Sequence, residues 1–545
     1  MFRFHNLKAA LNSSKILSNT TTPHFSSQLH IQALLSRPFS SSKMTNDMSS
    51  FAANTSKELS KFSRPELFGI IPYEEQIKRS SGSKFFKVLD PATEQEIGSL
   101  PEMETAHVRD AIEKASKEFK SWSKITARER KLKLQKWYDL MMKNQADLAR
   151  MITIESGKPL VESMGEIAYG ASFIEWFSQE AIRAYGDTMP VLAPGQRMMT
   201  IKQPVGVVGI ITPWNFPNAM ITRKVGAALA AGCTAVVKPA AETPYSAIAM
   251  RNLAIESGIP EDAFIIVTTS SNVTDIGLEL TTNPLVKKVS FTGSTAVGKL
   301  LLKQASSTVK KSSMELGGNA PFIVFDDANL EDAVSGLMSA KFRNAGQTCV
   351  CANRIFVHSS VYDRFISMVI EKIKSKIILG HGTTPNVTFG PLISKKATER
   401  MNAIIADAKS KGAKAVQVLD LPKELQEGYF YPPTILVDAT SDMVASTDEI
   451  FGPICSMIKF DSEEHLLEMV NQVPVGLAGY FYSNNLSRVF KMAEALETGM
   501  VGVNTGLISN EVLPFGGIKE SGIGREGSKY GLDEYLYLKA ITLNF

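Results

Sequence analysis

The stretch that decides the fold covers residues 205–238 and reads VGVVGIITPWNFPNAMITRKVGAALAAGCTAVVK. An apolar run at 205–211 is followed by a helical pattern over 217–231 and by a second apolar run at 235–237. The alternation continues with apolar runs at 264–267, 289–291 and 322–325 and with helical stretches at 244–257, 272–281 and 296–307. Near-continuous apolar strands separated by helices predict a parallel sheet covered on both faces. We therefore expect a doubly wound α/β domain, in which ligands bind at the carboxyl ends of the strands.

The composition around this stretch is that of a globular protein. The chain has 545 residues, 44% of them hydrophobic and 21% charged, which predicts two or three domains. Residues 105–150 show helical periodicity, since Ala111, Ile112, Ala115 and Phe119 recur at three- and four-residue spacing. No apolar run approaches the roughly 18 residues needed to cross a bilayer, so we expect no membrane association.

Charge argues against a nucleic-acid partner. Of the 59 basic and 55 acidic side chains, five basic and no acidic ones fall in residues 1–46, so the rest of the chain is nearly neutral. It contains no block of Lys and Arg that would bind a phosphate backbone by counterion release. We therefore expect no nucleic-acid partner.

The N-terminal segment has the composition of a mitochondrial transit peptide, because it is basic, free of acids and rich in Ser and Thr. We assign residues 1–43 to a transit peptide or a disordered tail. The run RPFS at 37–40 resembles a matrix processing site with cleavage after Phe39. Translation that starts at Met44 would omit this segment and leave the protein in the cytosol. The mitochondrial matrix and the cytosol are therefore the two candidate locations.

Two local features suit a dinucleotide. Lys238 lies just past a predicted strand, where its side chain can reach a ribose or phosphate, although a solvated loop lysine fits the position equally well. Gly293 and Ser294 lie in a turn between a predicted strand and a helix, and the helix N-terminus offers free N–H groups to a pyrophosphate. Because the turn lacks the usual GxGxxG spacing, it is a weak signal on its own.

Cys349 lies in the run NAGQTCVC at 344–351, where small polar residues leave room for an approaching carbonyl. The pattern leaves three alternatives open: a nucleophile, a buried core thiol and a metal ligand. A metal is disfavoured because His358 stands alone, without a second pair at ligand spacing. We expect no metal, and with only four Cys in the chain we expect a reducing compartment.

From about residue 60 onward the chain resembles the aldehyde dehydrogenase superfamily. The matching motifs are PWNFP (213–217), KP (238–239), FTGST (291–295), ELGG (315–318), GQTC (346–349), EIFGP (449–453) and PFGGIK (514–519). Within the superfamily it is most similar to the branch acting on succinate semialdehyde, in particular its fungal members, through MITRK (220–224), KFRN (341–344), CVC (349–351) and GLIS (506–509).

The resemblance implies that the protein acts on a small-molecule substrate, an aldehyde, and oxidises it with a nicotinamide cofactor. Cys349 attacks the aldehyde carbon, the Asn215 amide and the Cys349 N–H stabilise the oxyanion, and Glu315 activates water to hydrolyse the thioester. It also implies a set of residues that contact NAD or NADP: Trp214, Lys238, Ala241, Gly293, Ser294, Glu449 and Phe451. Arg223 and Arg343, assisted by Ser509, occupy the positions that hold the substrate carboxylate; the alternative is that both arginines form structural ion pairs.

Two residues or runs depart from the family pattern, and other functions remain as alternatives. Ala241 stands where NAD-preferring relatives carry Glu, so we expect NADP to be accepted. The run NTG at 504–506 differs from animal relatives, which leaves another acid semialdehyde, such as glutarate semialdehyde, as an alternative substrate. A cofactor-free thiol hydrolase with His358 as base, or a non-catalytic relative, would use the same chain differently.

The resemblance implies three functional parts. We expect a cofactor domain at 59–185 and 206–316, a catalytic domain at 317–507, and a bridging β element at 186–205 and 508–545. Since bridging strands have little core of their own, they are expected to form a homodimer or homotetramer. Finally, Cys351 lies two positions from Cys349, and relatives share this CVC run, so we predict a reversible redox switch between the two thiols.

Overall fold

The 205–238 stretch forms the centre of a six-stranded sheet in the computed structural model, which describes residues 61–68 and 84–545. From edge to edge the strands are Gly522–Ile523, Lys311–Glu315, Val286–Thr292, Val207–Ile211, Thr234–Lys238 and Phe264–Ile266. Only Gly522–Ile523 runs antiparallel to its neighbour. The chain leaves Val207–Ile211 toward one edge and later returns to its other side at Val286–Thr292, which makes this the switch point of a doubly wound sheet. The predicted fold class is confirmed.

The helices around this sheet follow the predicted pattern. They are Thr105–Trp122, Ala127–Lys143, Gln145–Ser156, Leu160–Glu180, Ala219–Ala231, Pro244–Glu256, Val273–Thr282 and Thr295–Ala305. The predicted helical region 105–150 is divided because Thr126 starts a new helix, accepting a hydrogen bond from the Glu129 N–H at 3.2 Å. Proline occupies the first position of Pro244–Glu256, and Gly258 follows that helix with a φ of 95°.

A second sheet has seven strands, all parallel except for Lys414–Gln417 at one edge. Its strands in spatial order are Lys414–Gln417, Thr434–Val437, Ile454–Phe460, Ala352–His358, Ala320–Val324, Ala478–Tyr482 and Met500–Val503. The apolar run predicted at 322–325 belongs here and not to the first sheet. A continuous apolar strand fits any doubly covered parallel sheet, so its composition could not distinguish between the two.

The second sheet is covered by helices of its own. They are Leu330–Leu337, Tyr362–Lys376, Lys395–Ser410, Val444–Thr447, Glu463–Asn471 and Leu486–Ala495, with a π-helix at Met338–Phe342. Buried apolar side chains form one cluster within residues 62–316 and 532–536 and another within 320–515. The two sheets therefore each have their own hydrophobic core.

Three smaller sheets complete the described part of the chain. Phe85–Leu89 pairs with Glu96–Pro101, and Val475–Gly476 pairs with Ile518–Lys519. The third sheet contains Thr188–Met189, Gln196–Pro204 and Leu536–Asn544. The predicted bridging element includes residues 508–545, but only the last strand of that segment, Leu536–Asn544, joins this sheet. Gly522–Ile523 pairs instead beside Glu315, and the short helix Ser528–Asp533 connects the two.

Candidate active site

Cys349 lies in a tight loop immediately before the strand Ala352–His358. The loop turns through left-handed residues, with φ of 51° at Asn344 and 78° at Gly346. A Cβ on Gly346 would lie 2.3 Å from the carbonyl oxygen of Gly452, so only glycine fits there. This packing holds the thiol half-buried at the amino end of a strand in the second sheet.

Burial dominates the electrostatics of the Cys349 thiol. It raises the pKa to about 12, although the positive charge of Arg223 acts in the opposite direction. Nearby carboxylates at Glu449 and Glu315 add to the increase in pKa. The resting thiol is therefore mostly protonated near neutral pH, and a base is needed to generate the nucleophilic thiolate.

Asn215 follows the central strand Val207–Ile211 of the first sheet, and its side chain reaches the Cys349 loop. Its Nδ2 donates a hydrogen bond to the Gln347 carbonyl at 3.1 Å. The Asn344 amide in turn donates to the Asn215 carbonyl at 3.1 Å. These two bonds bring the expected oxyanion donor and the nucleophile loop together across the two sheets.

Glu315 is the last residue of the strand Lys311–Glu315 and is only 2% exposed. Neither carboxylate oxygen has a hydrogen-bond partner among the described residues, and burial raises the pKa well above its usual value. A Cβ at Gly516 would come within 3.0 Å of Oε1, so the glycine leaves room beside the carboxylate. A desolvated acid without fixed partners can take up and release a proton, as a general base must.

Arg223 lies deep in the helix Ala219–Ala231, where it forms an ion pair with Glu526. Lys224 forms an ion pair with the same carboxylate. Burial opposes ionisation of Glu526, but the two cations outweigh it and lower its pKa. The Arg223 guanidinium also lies 4.3 Å from the ring centroid of Phe515. The ion-pair alternative considered for this arginine is thus present in the structure.

Arg343 differs from Arg223 because no carboxylate pairs with it among the described residues. Its side chain is half-buried, and its guanidinium lies 5.5 Å from the ring centroid of Phe216. Within the described part of the chain its Nε has no hydrogen-bond partner. Ser509 is also half-buried and hydrogen-bonds the hydroxyl of Tyr169, whose pKa is raised by burial. The Arg343 guanidinium is therefore available to an anion.

The residues expected to bind the dinucleotide lie at the carboxyl edge of the first sheet. Lys238, 5% exposed, ends the strand Thr234–Lys238, and its Nζ donates to the Pro239 carbonyl at 3.0 Å. An ammonium has three donors, and the structure shows no acceptor for the other two among the described residues, so they could bind a ligand. Desolvation lowers the pKa of this lysine. Ala241 lies three residues further on, half-buried against the core.

The helix Thr295–Ala305 begins directly after the strand Val286–Thr292. Ser294 caps it by accepting a hydrogen bond from the Val297 N–H at 3.5 Å, and the Gly293 N–H donates to the Glu315 carbonyl at 3.0 Å. Thr292 Oγ1 is buried and has no partner among the described residues. A free buried hydroxyl beside a helix N-terminus fits a phosphate-bearing cofactor.

The second sheet carries the remaining residues expected to contact the cofactor, Glu449 and Phe451. The Gly318 N–H donates to Glu449 at 3.3 Å, and burial raises the pKa of this carboxyl to about 7. Phe451 has a φ of 55°, and its ring contacts Trp214 edge to face at 5.6 Å between centroids. Trp214, which follows a strand of the first sheet, and Phe451, which precedes a strand of the second, are therefore in direct contact.

Cys351 is buried, and its Sγ donates to the Lys341 carbonyl at 3.3 Å. All four cysteines are free thiols. Within residues 61–68 and 84–545, no group of His, Cys, Asp and Glu is arranged to hold a metal ion, and no helix is long and apolar enough to span a membrane.

Sequence reasoning missed three buried ionic residues at the site. They are Glu526, which pairs with both Arg223 and Lys224, and the pair formed by Lys158 and Glu166. The amino-acid sequence alone does not show which Lys, Arg and Glu side chains are buried and which are exposed. The only available signal was the motif context, in which Glu526 follows the PFGGIK run and Lys158 lies between Gly157 and a proline.

Comparison with known proteins places this site in a family. The profile of the Aldehyde dehydrogenase family matches residues 77–541. The chain is 55% identical over 457 residues to the glutarate-semialdehyde dehydrogenase of Pseudomonas aeruginosa, covering 84% of this chain and 94% of the relative. It is 52% identical over 465 residues to succinate-semialdehyde dehydrogenase [NADP(+)] 1 of Schizosaccharomyces pombe, covering 85% and 93%.

A solved structure agrees with these relatives. The crystal structure of succinate-semialdehyde dehydrogenase from Burkholderia pseudomallei superposes with a TM-score of 0.83 at 49% identity, covering 86% of this chain and 95% of that one. The family profile extends over both large sheets and includes the thiol, the acid and the amide described above. The chain therefore belongs to the aldehyde dehydrogenase family.

Proposed function

We propose that the enzyme oxidises succinate semialdehyde to succinate with NAD or NADP. The observation that carries the proposal is the Arg343 guanidinium, which is half-buried close to the thiol loop and has no carboxylate partner among the described residues. A substrate with a carboxylate at the end opposite its aldehyde could neutralise this charge. Arg223 and Ser509 are proposed to assist, with the Arg223–Glu526 pair adjusting when the substrate binds.

The proposed chemistry uses three side chains. The Cys349 thiol loses its proton to solvent and its sulfur forms a bond to the aldehyde carbon, while the Asn215 amide and the Cys349 N–H donate hydrogen bonds to the carbonyl oxygen that becomes negative. Loss of hydride from that carbon restores the carbonyl and leaves a thioester on Cys349. A bound nicotinamide cofactor supplies the hydride acceptor. Glu315 takes a proton from water, whose oxygen attacks the resulting thioester and releases the carboxylic acid and the Cys349 thiol.

The cofactor preference is proposed from Ala241. A glutamate here would repel a 2′-phosphate, and alanine removes that charge from position 241, although the neighbouring Glu242 still acts on the Lys238 ammonium. The Schizosaccharomyces pombe relative carries NADP(+) in its name. We propose that NADP is used as well as NAD, with Lys238, Glu449, Phe451 and the turn at 293–294 as contacts.

The test is steady-state oxidation of succinate semialdehyde, glutarate semialdehyde and butanal with each cofactor, followed by the absorbance of the reduced nicotinamide. A higher kcat/KM for the four-carbon acid is expected. A higher kcat/KM for glutarate semialdehyde would support the second candidate function, glutarate-semialdehyde dehydrogenase, which is the activity in the name of the Pseudomonas aeruginosa relative. The hydrolase alternative has little support, because His358 hydrogen-bonds Ser360 at 2.8 Å and its ring contacts Phe460.

We infer that 59–185 with 206–316 bind the cofactor, that 317–507 carry the thiol, and that the small three-stranded sheet mediates homo-oligomerisation. Its outer strand Leu536–Asn544 is a long edge on which Leu538 is 65% exposed. Such edges pair readily with another chain. Light scattering should give a dimer or tetramer, and Leu538→Asp should shift the mass toward the monomer.

A mitochondrial matrix location is proposed from residues 1–43, which lie outside the described residues. Some relatives carry "mitochondrial" in their names, including the human succinate-semialdehyde dehydrogenase, 51% identical over 458 residues. N-terminal sequencing of the enzyme purified from mitochondria should begin near Ser40. Recovery only in the cytosol, beginning at Met44, would support the alternative start.

A redox switch is proposed between Cys349 and Cys351. Peroxide would oxidise the Cys349 thiolate to a sulfenic acid and itself be reduced to water. The Cys351 thiol would then attack the sulfenic sulfur, forming the disulfide and releasing a second water. The support is the spacing of two residues and the half-buried thiol at Cys349.

A further inference from the structure

The ammonium group of Lys158 lies in the protein interior beside the segment that carries Asn215. Its side chain is 1% exposed and forms an ion pair with Glu166. Its Nζ donates a hydrogen bond to the backbone carbonyl of Asn215 at 2.9 Å and lies 3.9 Å from the ring centroid of Phe216. A buried cation is retained only where several contacts offset its desolvation. Here one of those contacts is to the backbone of Asn215, the residue that is expected to stabilise the oxyanion.

Glu166 holds the other end of the same segment. Its Oε1 accepts hydrogen bonds from the Asn218 N–H at 2.9 Å and the Ala219 N–H at 3.4 Å, where the helix Ala219–Ala231 begins. A carboxylate is favoured at this position because it satisfies free N–H groups and faces the positive end of the helix dipole. The Lys158–Glu166 pair thus fixes the backbone of residues 215–219 at both ends.

The nucleophile loop contacts the same carbonyl. The Asn344 side chain donates to the Asn215 carbonyl at 3.1 Å and to the Gln347 carbonyl at 3.2 Å. The Asn215 carbonyl therefore accepts two hydrogen bonds, one from the ammonium and one from the loop that carries Cys349. Loss of the ammonium would leave one of the two, and the amide could then rotate away from the loop.

We propose that Lys158 is a positioning residue, which keeps the Asn215 amide directed at the place where the oxyanion forms. The inference rests on the proposed role of Asn215. In the proposed chemistry Lys158 contacts neither the Cys349 sulfur nor the aldehyde carbon. Oxyanion donors contribute to catalysis only when they are held at hydrogen-bond distance from the developing charge. A small displacement of the Asn215 backbone would therefore slow the step that depends on this donor.

A double-mutant cycle tests the proposal. The rate constant of the first burst of reduced cofactor is measured for wild type, Lys158→Met, Asn215→Ala and the double variant. We expect Lys158→Met to lower it about 30-fold or more in the wild-type background and less than about threefold in the Asn215→Ala background. Equal factors in both backgrounds would mean that Lys158 acts independently of Asn215, and the proposal would be wrong.

Further variants separate positioning from folding. Lys158→Met leaves the Glu166 carboxylate unpaired, so Lys158→Met/Glu166→Gln removes both charges while retaining an acceptor oxygen for the helix; it should show the same slow burst. Lys158→Arg should recover most of the rate. Lys288→Met is the matched control, because Lys288 is a buried lysine whose partner, Glu534, lies at 3.2 Å. A burst as slow as that of Lys158→Met in this control would overturn the proposal.

A cofactor-free reaction keeps the test independent of the substrate assignment. Acylation of Cys349 by p-nitrophenyl acetate forms an oxyanion at the same place without an acid semialdehyde. If wild type oxidises neither semialdehyde, the proposed function fails, while slow acylation in Lys158→Met would still support the positioning role. Unchanged acylation in Lys158→Met, together with slow acylation in Asn215→Ala, would overturn it.

Discussion

Replacing Arg343 by alanine should selectively impair acid semialdehydes. Among the described residues Arg343 forms no ion pair and its Nε has no hydrogen-bond partner, so its removal breaks no ion pair, although its charge also acts to lower the pKa of the buried Glu162 carboxyl. Loss of one member of a desolvated charged contact costs about 2 to 5 kcal/mol. Because Arg343 is only half-buried, the lower end applies, and about 2 kcal/mol corresponds to roughly a 30-fold loss of kcat/KM.

The assay compares kcat/KM for succinate semialdehyde and butanal in wild type, Arg343→Ala and Arg343→Lys. Butanal has no carboxylate, so its kcat/KM should fall less than about threefold. Lysine restores the charge without the planar fork and should recover only part of the loss. Equal losses on both aldehydes would refute the reasoning and show that Arg343 maintains the structure of the site.

Arg223→Ala provides a contrast, because this arginine already pairs with Glu526 in the interior. Removing one member of a buried pair typically destabilises the fold by about 3 to 5 kcal/mol. We therefore expect a lower melting temperature and reduced activity on butanal as well as on succinate semialdehyde. A variant with unchanged thermal stability would show that the pair contributes little to folding.

Four further outcomes are expected. Glu315→Gln should release about one reduced cofactor per site and then stall, because the thioester is not hydrolysed; unimpaired steady-state turnover would disprove the general-base role. Ala241→Glu should depress turnover with NADP far more than with NAD, and a wild type inactive with NADP would contradict our interpretation of this position. Since the pKa of Cys349 is about 12, its inactivation by iodoacetamide should speed up about tenfold per pH unit from about pH 7 to 10, without a plateau. Peroxide should inactivate wild type reversibly with dithiothreitol but Cys351→Ala irreversibly, and peptide mapping without a Cys349–Cys351 linkage would exclude the switch.

Much of the first sheet could be predicted from sequence because its strands are short apolar runs between capped helices. The strand Lys311–Glu315 was not predicted, since its sequence KSSME has no apolar run. It lies next to the edge of the sheet, where only the short strand Gly522–Ile523 covers it, and polar side chains are tolerated there. The adjoining ELGG motif nevertheless predicted a catalytic role for its last residue, Glu315.

The proposed catalytic residues came from motifs, whereas the charges that surround them did not. The Lys224–Glu526 contact joins residues 302 positions apart, and nothing local in either segment indicates the pairing. The burial of these charged side chains could not be inferred either. Lys and Glu are mostly exposed in proteins, and a single sequence does not show where an exception occurs. The three-dimensional contacts were needed to find a paired environment for Arg223 and an available guanidinium at Arg343.

The strand Gly522–Ile523 has a consequence for how the enzyme matures. It pairs with Met314 and Glu315, more than 200 residues earlier in the chain, and lies close to the C-terminus. Contacts of such long sequence separation form late, because a large loop must close before they are made. A ribosome-bound chain in which residues 522–523 have not yet been made would therefore acquire helices and most of its sheets while still lacking the strand that pairs with Glu315. During refolding, recovery of turnover should lag behind recovery of the helical circular dichroism signal.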